Sequence, residues 1–379
     1  MRIVSRKVRL LLITLLCGIV VLTGWQVWKR WLGPWMFPPT PMIVTPSLVL
    51  TDLTAKSLFF SNEARGWLLK LRPDLLAADD RDPSSNRSRA VRQANVNPEL
   101  FRQLDRQVRF DTVLLLGDPS GFQRLLDHLI KPEPSKRDFQ LVYMDHWSYV
   151  FKRGNVKPWE PADADALRAK VAALSSRDRA TFLSKTAAKM LAIREYGEAR
   201  KWVEEALALD GDSVDALAGM ANYQITLGKW KEAEALADKA LEKNADFVPA
   251  LAAKLVAQRA TKHFLDAFRT SKRLNTLIPE DPVRLFQHAE TAREARLRAE
   301  QVKALERLIK LAEDEGRPTG AYEFYLGDAH IYLSTEDVAH VPQAVEHLRK
   351  ALADQTLSAE HRKFAEERMA TIRERTGLK

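Results

Sequence analysis

Four columns of residues recur at one spacing in the second half of the chain. Tyr196, Trp230 and Phe264 lie 34 residues apart, and so do Ala199, Ala233 and Ala267. Ala206, Ala240 and Leu274 repeat the step, as do Leu183, Leu217 and Leu251. A fixed period of this length marks a supersecondary unit that cannot bury its own apolar face and stacks on copies of itself. From residue 163 onward the apolar positions follow helical period and strand signals nearly vanish. Each unit is therefore a pair of helices. Alanine at recurrent positions lets the two backbones approach, while the aromatic fills space beside the turn. Gly228, just before Lys229-Trp230, separates the helices of one unit, and Pro279 stops the second helix of the third.

In its period and its small and large columns this segment resembles the tetratricopeptide family. The family's Leu-Gly pair is best kept at Leu326-Gly327, where Tyr322, Tyr325, Ala344, Ala351 and Leu352 outline a further unit. That unit has a longer inter-helix turn, around Ser334 to Val341. Residues 282–315 are expected to form one degenerate pair: Ala289, Ala292, Leu305 and Leu308 keep an apolar face while the columns drift. Repeats are expected over 163–356, with a Glu- and Arg-rich capping helix and tail over 357–379. The resemblance implies a concave groove lined by the first helix of each unit. Its positions fall on Ser184, Ala188, Leu191, Ala218, Asn222, Ile225, Thr226, Ala252, Val256 and Arg259. Asn222 matches a position used by relatives that clamp a carboxy-terminal carboxylate, but Ser184 and Ala218 stand where the accompanying lysines would be. The groove that results is small and partly apolar, suited to an extended segment or a partner helix.

The amino terminus carries a different signal. Arg2, Arg6, Lys7 and Arg9 precede a charge-free run over 10–28, and Lys29 and Arg30 follow it. About nineteen residues of helix cross ~30 Å of hydrocarbon, and Trp25, Trp28, Trp31 and Trp35 cluster at the far end, where amphipathic rings favour the headgroup layer. More cations before the run than after it put residues 1–9 in the cytoplasm and the bulk of the chain outside. Leu22-Thr-Gly24 is a poor cleavage site, so 10–28 reads as an uncleaved signal anchor in a bacterial inner membrane. The Pro/Trp-rich stretch 29–46 reads as a stiff spacer towards the periplasm.

Residues 47–160 alternate short elements and predict a small α/β domain. Strands are expected at Ser57–Phe60, Leu75–Ala78, Phe110–Leu116, Phe139–Met144 and Tyr149–Lys152. Helices are expected at 62–71, capped by Ser61 or Asn62, at 98–108 and at 122–130, and a polar loop at 83–92. Through Asn62, Gly66-Trp67-Leu68, Asp80-Arg81, Val113–Leu116, Leu125-Leu126, Val142–Asp145 and Val150–Arg153 this segment resembles a soluble domain that follows the multi-span part of some bacterial membrane glycosyltransferase-like proteins. The fold expected overall is α+β and multidomain: a single transmembrane helix, a small α/β domain and an α-helical solenoid.

Several function classes are excluded at this level. The chain carries +9, but six of those charges lie in residues 1–30, leaving a net of only +3 on the remaining residues, too little for a nucleic-acid patch on the folded part. A single cysteine rules out disulfide frameworks and CxxC metal sites, and the eight histidines are scattered without HExxH spacing. Asp118-Pro119-Ser120-Gly121 has neither nucleophile-elbow nor phosphate-loop spacing, and Asp118 reads as a helix cap. Asp145-His146 reads as a solvated turn. The reading that follows is a non-enzymatic, membrane-anchored adaptor without cofactor or metal that binds a protein partner in the cell envelope. The alternative is an accessory or catalytic part in handling envelope glycan or lipid-linked sugar, through Asp80, Asp118 and Asp145.

Overall fold

A computed structural model describes residues 50, 53–77, 85–117, 119–131, 137–279, 281–314 and 316–376. The stub, anchor and spacer expected over 1–46 lie outside these residues, as do Asp80, Arg81 and Asp118. Among the described residues no helix is long and apolar enough to cross a membrane. The chain divides into compact units Met1–Thr51 and Asp52–Lys379, and the account below concerns the second.

Four strands form one sheet: β1 (Leu58–Phe60), β2 (Thr112–Leu116), β3 (Phe139–Met144) and β4 (Ser148–Arg153), in the order β1-β2-β4-β3. β2 pairs in parallel with β1 and antiparallel with β4, which explains its unbroken apolar run. All five of its residues are buried. A parallel pair needs a crossover. It is supplied here by α1 (Asn62–Leu71), α2 (Asn86–Val96) and α3 (Pro98–Val108). Phe101 of α3 packs edge-on against Phe59, centroids 4.9 Å apart, and beside Phe110 and Phe139. After β2, a 3-10 turn over Pro119–Gly121 leads into α4 (Gln123–Ile130).

Three local expectations are corrected. Leu75, the expected start of a strand over 75–78, instead ends a 3-10 turn (Pro73–Leu75), because Leu75 N and Leu76 N donate back to Arg72 O and Pro73 O rather than to a ladder. The polar stretch expected to be a loop is helix α2. The Ser85 hydroxyl accepts from Ser88 N at 3.0 Å, and Val91, Ala94 and Asn95 are enough to bury one face. Ser61 precedes α1, but its side chain makes no cap bond there. The hydroxyl donates to Leu116 O at 2.9 Å and accepts from Leu116 N at 2.8 Å, finishing the β1–β2 pairing from a buried position.

The helical part begins with α5 (Pro161–Val171), entered through a capping box of Glu160 and Asp163. Five pairs follow: α6 and α7 (Ser176–Ala192, Tyr196–Leu209), α8 and α9 (Val214–Thr226, Trp230–Lys243), α10 and α11 (Val248–Ala260, Phe264–Leu277), α12 and α13 (Pro282–Glu294, Arg298–Asp314), and α14 and α15 (Gly320–Leu333, His340–Ala353). The last helix is α16 (Ala359–Thr376). Every alanine of the repeat columns is buried, and so are Leu183, Leu217, Leu251 and Leu274. The aromatic column is not: Tyr196 is 43% exposed, and Trp230 and Phe264 are half-buried where each opens its second helix.

The inter-helix turns keep the period in backbone form. Arg194, Gly228, Lys262 and Arg296, 34 residues apart, all have φ between 61° and 71°. The next residue closes each turn by donating five positions back: Glu195 N to Met190 O, Lys229 N to Gln224 O, His263 N to Gln258 O and Leu297 N to Ala292 O, at 2.8–3.0 Å. This is the left-handed helix stop that favours glycine, and only one of the four is glycine. At the other three a cation stands beside the carbonyl end of a helix dipole, which offsets part of the strain. Arg296 also shows that 282–315 keeps the register. Leu285 and Leu308 extend two columns by 34, while Gln301 and Arg298 replace the alanine and the aromatic. What drifts there is side-chain chemistry, and the backbone phase is retained.

A Cβ at Gly228 would meet nothing nearer than Trp230 Cζ2 at 3.9 Å, so only the backbone opposes substitution. Gly228→Ala is expected to lower stability by about 1 kcal/mol, read by urea denaturation.

Candidate functional site

Of the ten positions carried over as groove residues, all but Thr226 fall into three columns 34 apart on α6, α8 and α10, and the structure separates those columns by exposure. Ser184 and Ala218 are buried, at 2% and 1% exposure, and Ala252 is half-buried. The cause is the close approach of adjacent first helices. A Cβ added at Gly219 would lie 3.8 Å from Ser184 Cβ and 3.3 Å from Val203 Cγ2 of α7. The Ser184 hydroxyl is turned inward and donates to Ala180 O at 2.7 Å. Ser184 and Ala218 therefore belong to the seam between units and present no side-chain surface to a partner.

The next two columns are more open. Ala188 and Asn222 are half-buried and Val256 is 41% exposed, while Leu191 and Ile225 are half-buried beside them. Thr226 is exposed and its hydroxyl donates to Tyr223 O at 2.7 Å. Arg259 ends the third column engaged with α12: Nε and Nη2 meet the two Glu294 oxygens at 2.8 and 2.6 Å. That bidentate bond raises the guanidinium pKa further above its ordinary value. The open part of this face is thus small and mostly apolar, with Asn222 as its central amide.

Period arguments missed a polar pair at the start of the same helices. Thr181 and Asp215 lie 34 apart, and the Thr181 hydroxyl faces Asp215 Oδ2 at 3.4 Å. Burial pushes the Asp215 carboxyl above the usual carboxylate range, with Lys185 and Thr181 opposing it. Neither residue belongs to an apolar column, so only adjacency in space reveals them.

Where the sheet meets α6, candidate chemistry is absorbed by structure. Asp145 is 2% exposed, and Oδ1 accepts from Trp147 N, Ser148 N and Ser148 Oγ at 2.7–2.8 Å, while Tyr143 OH donates to Oδ2 at 3.0 Å. His146 is also buried, its ring 4.6 Å from Phe182 of α6. The turn is therefore not solvated, as its two polar residues suggested. It is a carboxylate-organised corner between β3 and β4, with both oxygens already engaged. Lys189 of α6 is buried with its ammonium donating to Gly117 O and lying 5.1 Å from the Tyr149 ring. Tyr149 OH donates back to Lys189 O at 2.9 Å. A cavity of about 260 Å³ opens nearby, between α4, β3 and the α6–α7 turn, bordered by Asp127, Lys131, Arg137, Gln140, Trp159 and Arg194. It lies below the ~300–1,000 Å³ common for ligand sites. Its charges are of both signs and define no ligand class.

The division between seam and open face can be checked by stability. Ala218→Leu overpacks a closed contact and is expected to cost about 1–3 kcal/mol. Val256→Ala on the open column should change stability by less than about 0.5 kcal/mol, as surface substitutions do. Chemical denaturation of both variants distinguishes the two positions.

Residues 191–258 match the sequence family described as tetratricopeptide repeat. The matched segment runs from the end of α6 to near the end of α10. Solved structures with similarity include YrrB, described as a TPR protein with an unusual peptide-binding site. It is 17% identical, with 54% of this chain and 99% of that one covered, at a TM-score of 0.44. MamA from Desulfovibrio magneticus RS-1 is 17% identical over 46% of this chain and 94% of its own, at 0.39. A thermophilic TPR protein from Thermus thermophilus is 14% identical over 50% and 97%, at 0.34. No curated protein matches the chain. Over residues 191–258, spanning the second helix of one pair and most of the next three helices, the sequence is similar to the tetratricopeptide repeat family.

Proposed function

We propose that this protein is a non-enzymatic scaffold that binds a protein partner along the first helices of its repeats. The observation that carries the reading is the open column Ala188–Asn222–Val256 beside Leu191 and Ile225. Three successive units there leave small and apolar side chains partly uncovered on one face. An extended segment or a helix can lay apolar anchors into such a face while Asn222 bonds its backbone. The charge-free run over 10–28 and its preceding cations support a tether in a bacterial inner membrane, with the repeats on the periplasmic side and a role in cell-envelope assembly.

Asn222→Arg combined with Val256→Glu places two charges on this face without entering the seam. Affinity capture from membranes with the full chain is expected to recover roughly tenfold less partner from the variant, equivalent to ~1.4 kcal/mol. Circular dichroism should stay unchanged. Equal recovery would reject the face as the binding surface. A reporter fused after Lys379 is expected on the periplasmic side, and a cytosolic signal would reject the tether.

A further inference from the structure

The two helices of the last pair are joined by residues 334–339, the longest connection within the stacked pairs. Around it, three histidines separate in sequence meet: His330 near the end of α14, His340 at the start of α15 and His347 two turns further on. His330 Nδ1 and His340 Nδ1 are 3.1 Å apart, with ring centroids 5.2 Å apart. The His330 and His347 rings stack at 5.4 Å and 4°. His347 Nδ1 in turn lies 2.6 Å from Oε2 of Glu323, a carboxylate only 4% exposed. Among the described residues no group of histidines and carboxylates is arranged to hold a metal ion. The chemistry left to this cluster is that of protons.

One carboxylate serves three rings. Glu323 Oε2 accepts a hydrogen bond from His347 Nδ1–H. His330 and His340 share a hydrogen bond only while one Nδ1 carries a proton and the other offers a lone pair. One further proton leaves a cation at the edge of the core with no carboxylate bonded to it, and a second removes the lone pair that accepts the bond and sets two cations side by side. The surrounding charges do not compensate. Glu346 and Lys350 of α15 pair with each other at 2.8 Å, and Glu313 of α13 acts on Lys350. In the connection, Asp337 accepts from Ala339 N through its side chain and from His340 N through its carbonyl. Arg298 of α13 lies over the Tyr332 ring, and Arg368 of α16 is drawn to Asp328. Among the described residues no carboxylate hydrogen-bonds to the ring of His330 or His340.

We propose that Glu323, His330, His340 and His347 form a proton-operated latch between α14 and α15, closed while the His330–His340 pair shares one proton and released when it takes up another. The inference stands on the cluster alone and is independent of the partner-binding face. Burial, with His347 and His340 adding to it, holds the His330 pKa down to about 4. An opened helix pair would instead bind that proton near the ordinary ~6.5. The folded pKa is the lower one, so the latch is fully closed above ~6.5 and weakens as pH falls towards about 4. For one extra proton the opening equilibrium shifts by up to ~10-fold per pH unit. α16 follows, because Ala365 and Met369 pack with Phe324 and Leu348 in one cluster.

Amide hydrogen exchange of the full chain at about pH 7.5 and about pH 5, corrected for intrinsic rates, tests the latch in the range where histidine charge changes. Protection of peptides from 320–353 is expected to fall roughly 30-fold more than that of peptides from 196–243, one proton's worth over the ~1.5 pH units between ~6.5 and about pH 5. His330→Phe keeps a ring against His347 but takes no proton, and should abolish the difference. His330→Gln, which keeps a polar side chain but takes no proton, provides the same contrast if the first variant fails to fold. A parallel loss in both segments, or a difference that survives in the folded variant, would overturn the proposal.

Discussion

Four of the five pairs in the stack depend on two helices crossing where one of them has almost no side chain. Ala199, Ala233 and Ala267 supply that contact from the second helix. In the last pair Gly327 supplies it from the first, and a Cβ there would come within 2.9 Å of Leu348 Cγ. At such a distance the surrounding leucines fill the remaining space at interior density, and each pair becomes a flat unit with apolar faces on both sides. Stacking then covers those faces with the neighbouring units. The left-handed turn at 194, 228, 262 and 296 sets the angle at which the second helix returns, so the same crossing recurs every 34 residues. The seam between first helices, which buries Ser184 and Ala218, is a consequence of this geometry. So is the strip of partly open side chains beside it.

The sheet and the first pair are fastened by polar contacts at the mouth of β2. Lys189 donates to the Gly117 carbonyl, Tyr149 donates to the Lys189 carbonyl, and His146 rests against Phe182. A buried ammonium is tolerable only when its hydrogen bonds and ring contacts replace water. Together these contacts give the repeats a rigid start and commit residues that could otherwise be mistaken for catalytic groups. Asp145 illustrates this: four donors converge on it from one tight corner.

Much of the architecture was legible because it is periodic. Alanine and leucine columns report burial directly, since the hydrophobic effect acts on residue type wherever the same geometry recurs. The strands at 112–116 and 139–144 were equally plain, one as a continuous apolar run and the other from its flanking turns. Helix α2 was hidden because few apolar residues suffice to bury one face of a short helix. The helix stops were hidden because Arg194, Lys262 and Arg296 occupy left-handed positions that glycine would have advertised. The His330–His340–His347 cluster was hidden because the lengthened connection takes it out of the common register.

From residue order alone came the helix pairs, their period and the buried columns. These are local properties repeated often enough to be read from pattern. Which groove residues remain open, which carboxylates are already bonded and which histidines meet were decided only by the packed structure. Exposure and hydrogen bonding depend on the separation of surfaces from different units. That separation is set by small residues, such as Gly219 against Ser184 and Gly327 against Leu348, whose effect appears only when both surfaces are in place.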